Sequence, residues 1–102
     1  METSLQHTSN VASQLKLIAN PQRLDIALLL LESELSAAEI AQATETHVTS
    51  VSNHLNKLRS GGVVDFTRYH RVIEYRLVSP LIINVLKTIR ELQNPKGPSE
   101  TP

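Results

Sequence analysis

One stretch of the chain concentrates short polar side chains that both donate and accept hydrogen bonds. Four apolar residues recur there at helical spacing and predict a buried helix face: Val48, Val51, Leu55 and Leu58. The opposite face of this predicted helix, over residues 47–60, carries His47, Thr49, Ser50, Ser52, Asn53, Asn56 and Lys57. An ordinary solvated helix face more often carries Glu and Lys. Short polar side chains without an acidic neighbour suit base edges and phosphate oxygens in the major groove, and we therefore predict a double-stranded DNA partner.

A second cationic segment follows shortly afterwards. Two strand-like runs enclose four residues that should form the tip of a hairpin: Arg68, Tyr69, His70 and Arg71. Two permanent charges and an aromatic ring suit contact with phosphates or with the minor groove, although a solvated hairpin tip is the simpler alternative.

The charge is unevenly distributed, although the formal net charge is zero. Residues 21–46 carry one arginine against five acidic residues, whereas residues 47–76 carry five Lys and Arg against two acidic residues. The distribution of charge, rather than its sum, indicates where an anionic partner would bind, and here it coincides with the polar helix and the hairpin.

The surrounding pattern predicts the elements that must position these residues. Hydrophobic periodicity and turn signals give helices over residues 11–18, 22–31, 37–43, 47–60 and 80–93, numbered α1 to α5, and strands β1 and β2 over residues 63–67 and 72–77. Two short helices joined by about three residues predict a helix-turn-helix, and the hairpin after it predicts a wing.

Several residues predict where these elements begin and end. Ser36 and Glu39 have the spacing of a capping box, and Thr46 is the candidate N-cap of the next helix. Gly61-Gly62 predicts a left-handed helix end. The hairpin tip lacks the Asn-Gly of a tight turn, which favours a tip wider than two residues.

The first and last predicted helices carry more apolar surface than one small core requires. A second apolar face implies a partner, most simply a twofold homodimer, although the N-terminal helix of a monomer could cover it instead. The residues that we expect at this dimer interface are Val11, Leu15, Ile18, Leu81, Ile82, Val85, Leu86, Ile89 and Leu92.

Other classes of protein have little support. The sequence has no cysteine, no glycine-rich phosphate loop and no helical pairing of histidines, so we predict no enzyme activity, no cofactor and no metal site. No apolar run is long enough to span a membrane, and residues 1–10 do not resemble a signal peptide, so we expect a cytoplasmic protein.

The chain resembles the ArsR/SmtB family of bacterial winged-helix repressors from about Leu15 to Leu92. Residues 19–26 are similar to that family's second-helix opening, residues 34–41 to its third helix, and residues 49–64 to its recognition helix and the start of its wing. Tyr75-Arg76-Leu77 resembles the return strand of the wing. The resemblance implies the order α1-α2-α3-α4-β1-β2-α5, a dimer formed by α1 and α5, and operator binding that an inducer relieves. The cysteines, and the Asp and His pairs, that family members use for sensing are missing from the matching positions.

Together these features predict a mainly α winged helix-turn-helix protein with a small β-hairpin. We expect a flexible segment over residues 1–10, a DNA-binding and dimerisation domain over residues 11–94, and a disordered tail over residues 95–102. The predicted function is that of a homodimeric repressor of a near-palindromic operator, with an unknown effector. Two alternatives remain: a winged-helix module that binds another protein, and a metal sensor built from His7, His47 or His70.

Overall fold

The computed structural model describes residues 4–94. Five helices and one antiparallel hairpin follow in the predicted order: α1 Ser4–Ile18, α2 Pro21–Glu32, α3 Ala37–Thr44, α4 Val48–Ser60, β1 Val64–Tyr69, β2 Val72–Leu77 and α5 Pro80–Gln93. The predicted winged helix-turn-helix architecture is confirmed.

The N-terminal helix is longer than predicted. α1 already begins at Ser4, seven residues before its predicted start at residue 11. The apolar stripe from which the helix was predicted begins only at Val11, and the helical residues before it are mostly polar. Residues 1–3 and the predicted disordered tail over residues 95–102 lie outside the described residues.

The core is aliphatic and draws on every element except β2. Ile40, Leu55, Leu58 and Ile82 are among its fully buried side chains. Two of the helices that enclose it, α2 and α3, begin where their capping residues predict. Asn20 accepts a hydrogen bond from the Arg23 amide, and Ser36 and Glu39 form both hydrogen bonds of the capping box.

The turn between α3 and α4 contains a residue in the left-handed conformation, and the N-cap of α4 differs from the prediction. Glu45 takes the left-handed conformation that glycine usually supplies, with φ of 52°. Thr46 does not cap α4, because its hydroxyl donates to the carbonyl of Thr44 at 3.0 Å. His47 is the N-cap instead, without a side-chain hydrogen bond to the helix, so the prediction for Thr46 is wrong.

The other end of α4 follows the prediction. Gly62 is left-handed, with φ of 79°, and its amide donates to the Arg59 carbonyl while the Val63 amide donates to the Leu58 carbonyl. This pair of hydrogen bonds is a Schellman motif, and it places Val63 and Leu58, both completely buried, at the start of the hairpin.

The hairpin turn is tighter than expected. Tyr69 pairs with Val72, so the two-residue turn consists of His70 and Arg71, and β1 extends two residues beyond its predicted end. His70 makes this turn without glycine by adopting a φ of 59°. Leu35 and Tyr75 exchange two backbone hydrogen bonds of 3.2 and 2.8 Å. The hairpin is therefore attached to the segment that leads into α3.

Candidate nucleic-acid interface

The polar residues of α4 form one exposed face opposite its anchoring residues. Val51, Leu55 and Leu58 are completely buried and hold α4 against the core. The exposed residues of the polar face are His47, Thr49, Asn53, Asn56 and Lys57, and Ser50 and Ser52 are half-buried at its edges. The helix therefore presents hydrogen-bonding groups along a rigidly anchored surface.

Val48 was predicted to be buried, and this prediction is wrong. Its side chain is 45% exposed, because it lies in the first turn of α4, beyond the edge of the core that covers Val51. Helical periodicity assigns a residue to a face but does not say where along the helix the packed neighbours end.

His54 connects α4 to the beginning of α2. Its Nε2 lies 2.6 Å from Gln22 Oε1, which only accepts, and its Nδ1 lies 3.4 Å from Nη1 of Arg23, which only donates. These partners select the neutral imidazole with the proton on Nε2. Burial lowers the pKa of His54 below its usual value, and the positive charges of Arg23 and Lys57 lower the pKa further.

Arg23 also contacts α1. Its Nε donates to the Leu17 carbonyl at 2.6 Å, so a single guanidinium joins the end of α1 to the middle of α4. An open groove of about 600 Å³ lies beside this contact. Among residues 4–94, three cations and no acidic residue line this groove, and the lining residues are Ser13, Lys16, Leu17, Arg23, Asn56, Lys57, Ser60 and Gly61. The basic surface thus continues from the polar face of α4 towards α1.

Gln14 forms a second connection between α1 and the winged part of the protein. Its Nε2 donates to the Gly61 carbonyl at 3.0 Å, and its Oε1 accepts from the Ser79 hydroxyl at 2.7 Å. The Ser79 Oγ in turn caps α5 by accepting from the Ile82 amide. One amide side chain therefore links α1 to the end of α4 and the start of α5, a contact that local sequence patterns did not reveal.

The predicted wing-tip residues lie together at the end of the hairpin. Arg68, Tyr69, His70 and Arg71 are all exposed. Arg59, by contrast, is engaged at the base of the wing. It pairs with Asp65 at 3.2 Å, and its guanidinium lies 4.4 Å from the centroid of the Phe66 ring.

Asp65 is held as a carboxylate by these neighbours. The Phe66 amide and the Arg59 side chain both donate to Asp65 Oδ1, and they lower the pKa of this carboxyl. The negative charge of Asp65, at the base of β1, is thus balanced by Arg59 of α4 rather than opposing an anionic partner.

The residues predicted at a dimer interface divide into two groups. Ile18, Ile82 and Leu86 are 5%, 0% and 0% exposed, so the prediction is wrong for them: they belong to the protomer's own core. Six retain accessible surface: Val11, Leu15, Leu81, Val85, Ile89 and Leu92. Leu92 is 77% exposed, and Leu5, which was not predicted, is 82% exposed. An apolar surface on α1 and α5 therefore remains uncovered in the protomer.

The histidines do not assemble into a metal site in the described part of the chain. Within residues 4–94, no three His, Cys, Asp or Glu side chains lie close enough together to hold a metal ion. Over the same residues, no helix has the length and apolar character needed to cross a membrane.

A helix-turn-helix that is followed by a two-stranded wing, with polar and cationic side chains exposed on both, defines a winged helix-turn-helix DNA-binding protein. Residues 20–65 match the family model described as "Bacterial regulatory protein, arsR family". The chain belongs to this arsR family, and it is a DNA-binding transcription regulator rather than an enzyme.

Relatives of known role support this membership. The chain is 32% identical over 78 residues to the transcriptional activator HlyU of Vibrio cholerae, covering 76% of this chain and 72% of HlyU. It is also 32% identical over 87 residues to the biofilm growth-associated repressor of Xylella fastidiosa, covering 82% of this chain and 76% of that repressor.

Solved structures share the fold. Reduced HlyU from Vibrio cholerae superimposes with a TM-score of 0.83 at 28% identity, over 87% of this chain and 94% of HlyU. The homodimeric winged helix-turn-helix domain of Mb0332 from Mycobacterium bovis gives a TM-score of 0.78 at 27% identity, over 91% of this chain and 88% of that domain.

Proposed function

We propose that the protein acts as a homodimeric repressor that binds a near-palindromic operator. The polar face of α4 contacts base edges in the major groove, and Arg68 and Arg71 of the wing tip contact phosphates. One observation carries this proposal: the hydrogen-bonding side chains of α4 are exposed on a helix that Val51, Leu55 and Leu58 anchor in the core. A rigidly held helix with such a face is suited to recognising a base sequence.

The homodimer rests on the uncovered apolar surface of α1 and α5. Leu5, Leu15 and Leu92 are exposed there, and a second copy of the chain would remove all three side chains from water. The arsR-type domain of Mb0332, which has the same fold, is described as homodimeric. A twofold axis would set two α4 helices one DNA turn apart, about 34 Å, which is why the proposed operator is near-palindromic.

The direct test is a selection of binding sites from random duplex DNA, followed by affinity measurements across a salt series. We expect enriched sequences with twofold symmetry, a dissociation constant of about 10⁻⁸ M or tighter, and a steep loss of affinity with salt. Sedimentation equilibrium should give about twice the chain mass of 11.3 kDa. A stable monomer that enriches no sequence at low salt would contradict the proposal and favour a module that binds another protein.

Variants separate the two parts of the proposed interface. Arg68→Ala with Arg71→Ala should weaken binding to all sequences and lower the salt slope by roughly 3 to 4 in a dimer, at about 0.9 per phosphate contact. Asn53→Ala should instead change which bases are preferred, with a loss of about tenfold or more on the selected site.

The matched control for the wing-tip variants is Lys87→Ala, which removes an exposed cation from α5. We expect it to retain both the affinity and the salt slope. If the control loses as much affinity as the wing-tip variant, or if Asn53→Ala lowers affinity equally on every DNA, the assignment of these residues is wrong.

A further inference from the structure

Val48 is an exposed apolar side chain in the first turn of α4, beside the polar face rather than on it. It lies seven residues before Leu55, so both residues are on the same side of the helix. Leu55 is completely buried, whereas Val48 is 45% exposed because the core ends at Val51. Scattered exposed apolar residues are common on protein surfaces, so exposure alone assigns no role to Val48.

The position of Val48 distinguishes it from the other exposed apolar residues. It is the first residue of α4 and follows the N-cap residue His47, whose side chain forms no hydrogen bond to the helix. Ser52 lies one helical turn further along. In helix-turn-helix proteins, the N-terminal residues of the recognition helix are the ones that contact base edges. A valine there has no hydrogen-bonding group, and its two methyl groups offer only apolar contact.

Among the four bases, only thymine presents an apolar group in the major groove, its C5 methyl. We propose that Val48 recognises this methyl group at one position in each half of the operator. This inference rests on the proposed function and adds one base preference to it. Cytosine lacks the methyl and presents an amino donor, which Val48 would cover without offering an acceptor, so cytosine is disfavoured at the same position.

The test replaces each thymine of the selected site by deoxyuridine, which keeps the base pairing and removes only the C5 methyl. One position in each half-site should be sensitive to this change. We expect the affinity of the wild type to fall about fourfold when that thymine is replaced in one half-site, as the burial of one methyl group implies, and about 15-fold when it is replaced in both. Val48→Ala removes the two γ-methyl groups and should discriminate clearly less than the wild type between the thymine and deoxyuridine sites.

Val72→Ala is the matched control, because Val72 is exposed to a similar extent, 48%, but lies in the wing. This control should remain as sensitive to deoxyuridine as the wild type. Thermal unfolding of both variants checks that each is folded.

Three results would overturn the inference while leaving the proposed function in place. The first is a selected site that lacks a thymine in each half-site. The second is a wild-type protein whose affinity does not change with deoxyuridine at any position. The third is a Val48→Ala variant that loses as much affinity with deoxyuridine as the wild type does. Failure of the proposed function is recognised separately, because no sequence would then be enriched at all.

Discussion

Replacement of Gln14 by leucine should destabilise the protein far more than its half-buried position in α1 suggests. The Gln14 amide forms two hydrogen bonds, to the Gly61 carbonyl at the end of α4 and to the Ser79 hydroxyl at the start of α5. Ser79 is only 4% exposed, so water cannot replace the lost partner of its hydroxyl without rearrangement. Leucine keeps most of the volume and removes both bonds.

The magnitude follows from these contacts. Two neutral hydrogen bonds contribute about 1 kcal/mol each, and an unsatisfied buried partner adds a penalty of about 1 to 2 kcal/mol. The expected loss in the free energy of unfolding is therefore about 2 to 4 kcal/mol, which corresponds to a decrease in Tm of roughly 10 °C or more for a domain of this size.

Urea and thermal unfolding at one protein concentration measure this loss, since dimer formation would make stability concentration-dependent. Gln14→Glu should be destabilised as well, because a carboxylate still accepts from Ser79 but cannot donate to the Gly61 carbonyl. The control is Gln42→Ala, at an exposed position on α3. When Ser79 is already replaced by alanine, Gln14→Leu should lower the free energy of unfolding by about 1 kcal/mol less than it does in the wild type, as expected for partners in one network.

The result that would refute this reasoning is a Gln14→Leu variant within about 0.5 kcal/mol of wild type, the range of ordinary surface substitutions. Full additivity with Ser79→Ala would likewise show that the two side chains do not cooperate.

Two further predictions concern the same region. A methyl group added at Gly61 overlaps the Leu17 side chain, so Gly61→Ala should lower the free energy of unfolding by about 1 to 3 kcal/mol. The loss should be clearly smaller in a Leu17→Ala background, and an equal loss in both backgrounds would contradict this overlap as the cause. Because the pKa of His54 is lower in the folded protein than its usual 6.5, the unfolded chain binds more protons just below that pH. The stabilisation associated with neutral His54 is thus complete above about pH 6.5 and decreases as the pH falls. In urea unfolding from pH 5 to 8, His54→Gln should lose less stability below pH 6.5 than the wild type. An unchanged pH profile would refute the lowered pKa of His54 in the folded protein.

Local signals in the sequence predicted the elements well where their physical cause is local. The capping box at Ser36 and the left-handed glycine at position 62 depend on a few neighbouring backbone groups, and both are present. The same kind of argument was wrong at Thr46, whose hydroxyl bonds to the Thr44 carbonyl instead of capping α4. It was also wrong at the hairpin tip, where His70 adopts the left-handed conformation of a two-residue turn without glycine.

The sequence by itself determined the order of the elements, the polar face of α4 and the cationic wing tip, because periodicity and turn chemistry act over a few residues. It also placed these features in the basic part of the chain. The tertiary structure alone decided which apolar residues were left uncovered. Ile82 and Leu86 are enclosed by the protomer's own helices, whereas Leu92 and Val48 lie beyond the edges of the core. Burial depends on neighbours that are distant in the sequence, and so do the contacts of Gln14 and His54 that hold α4 in position.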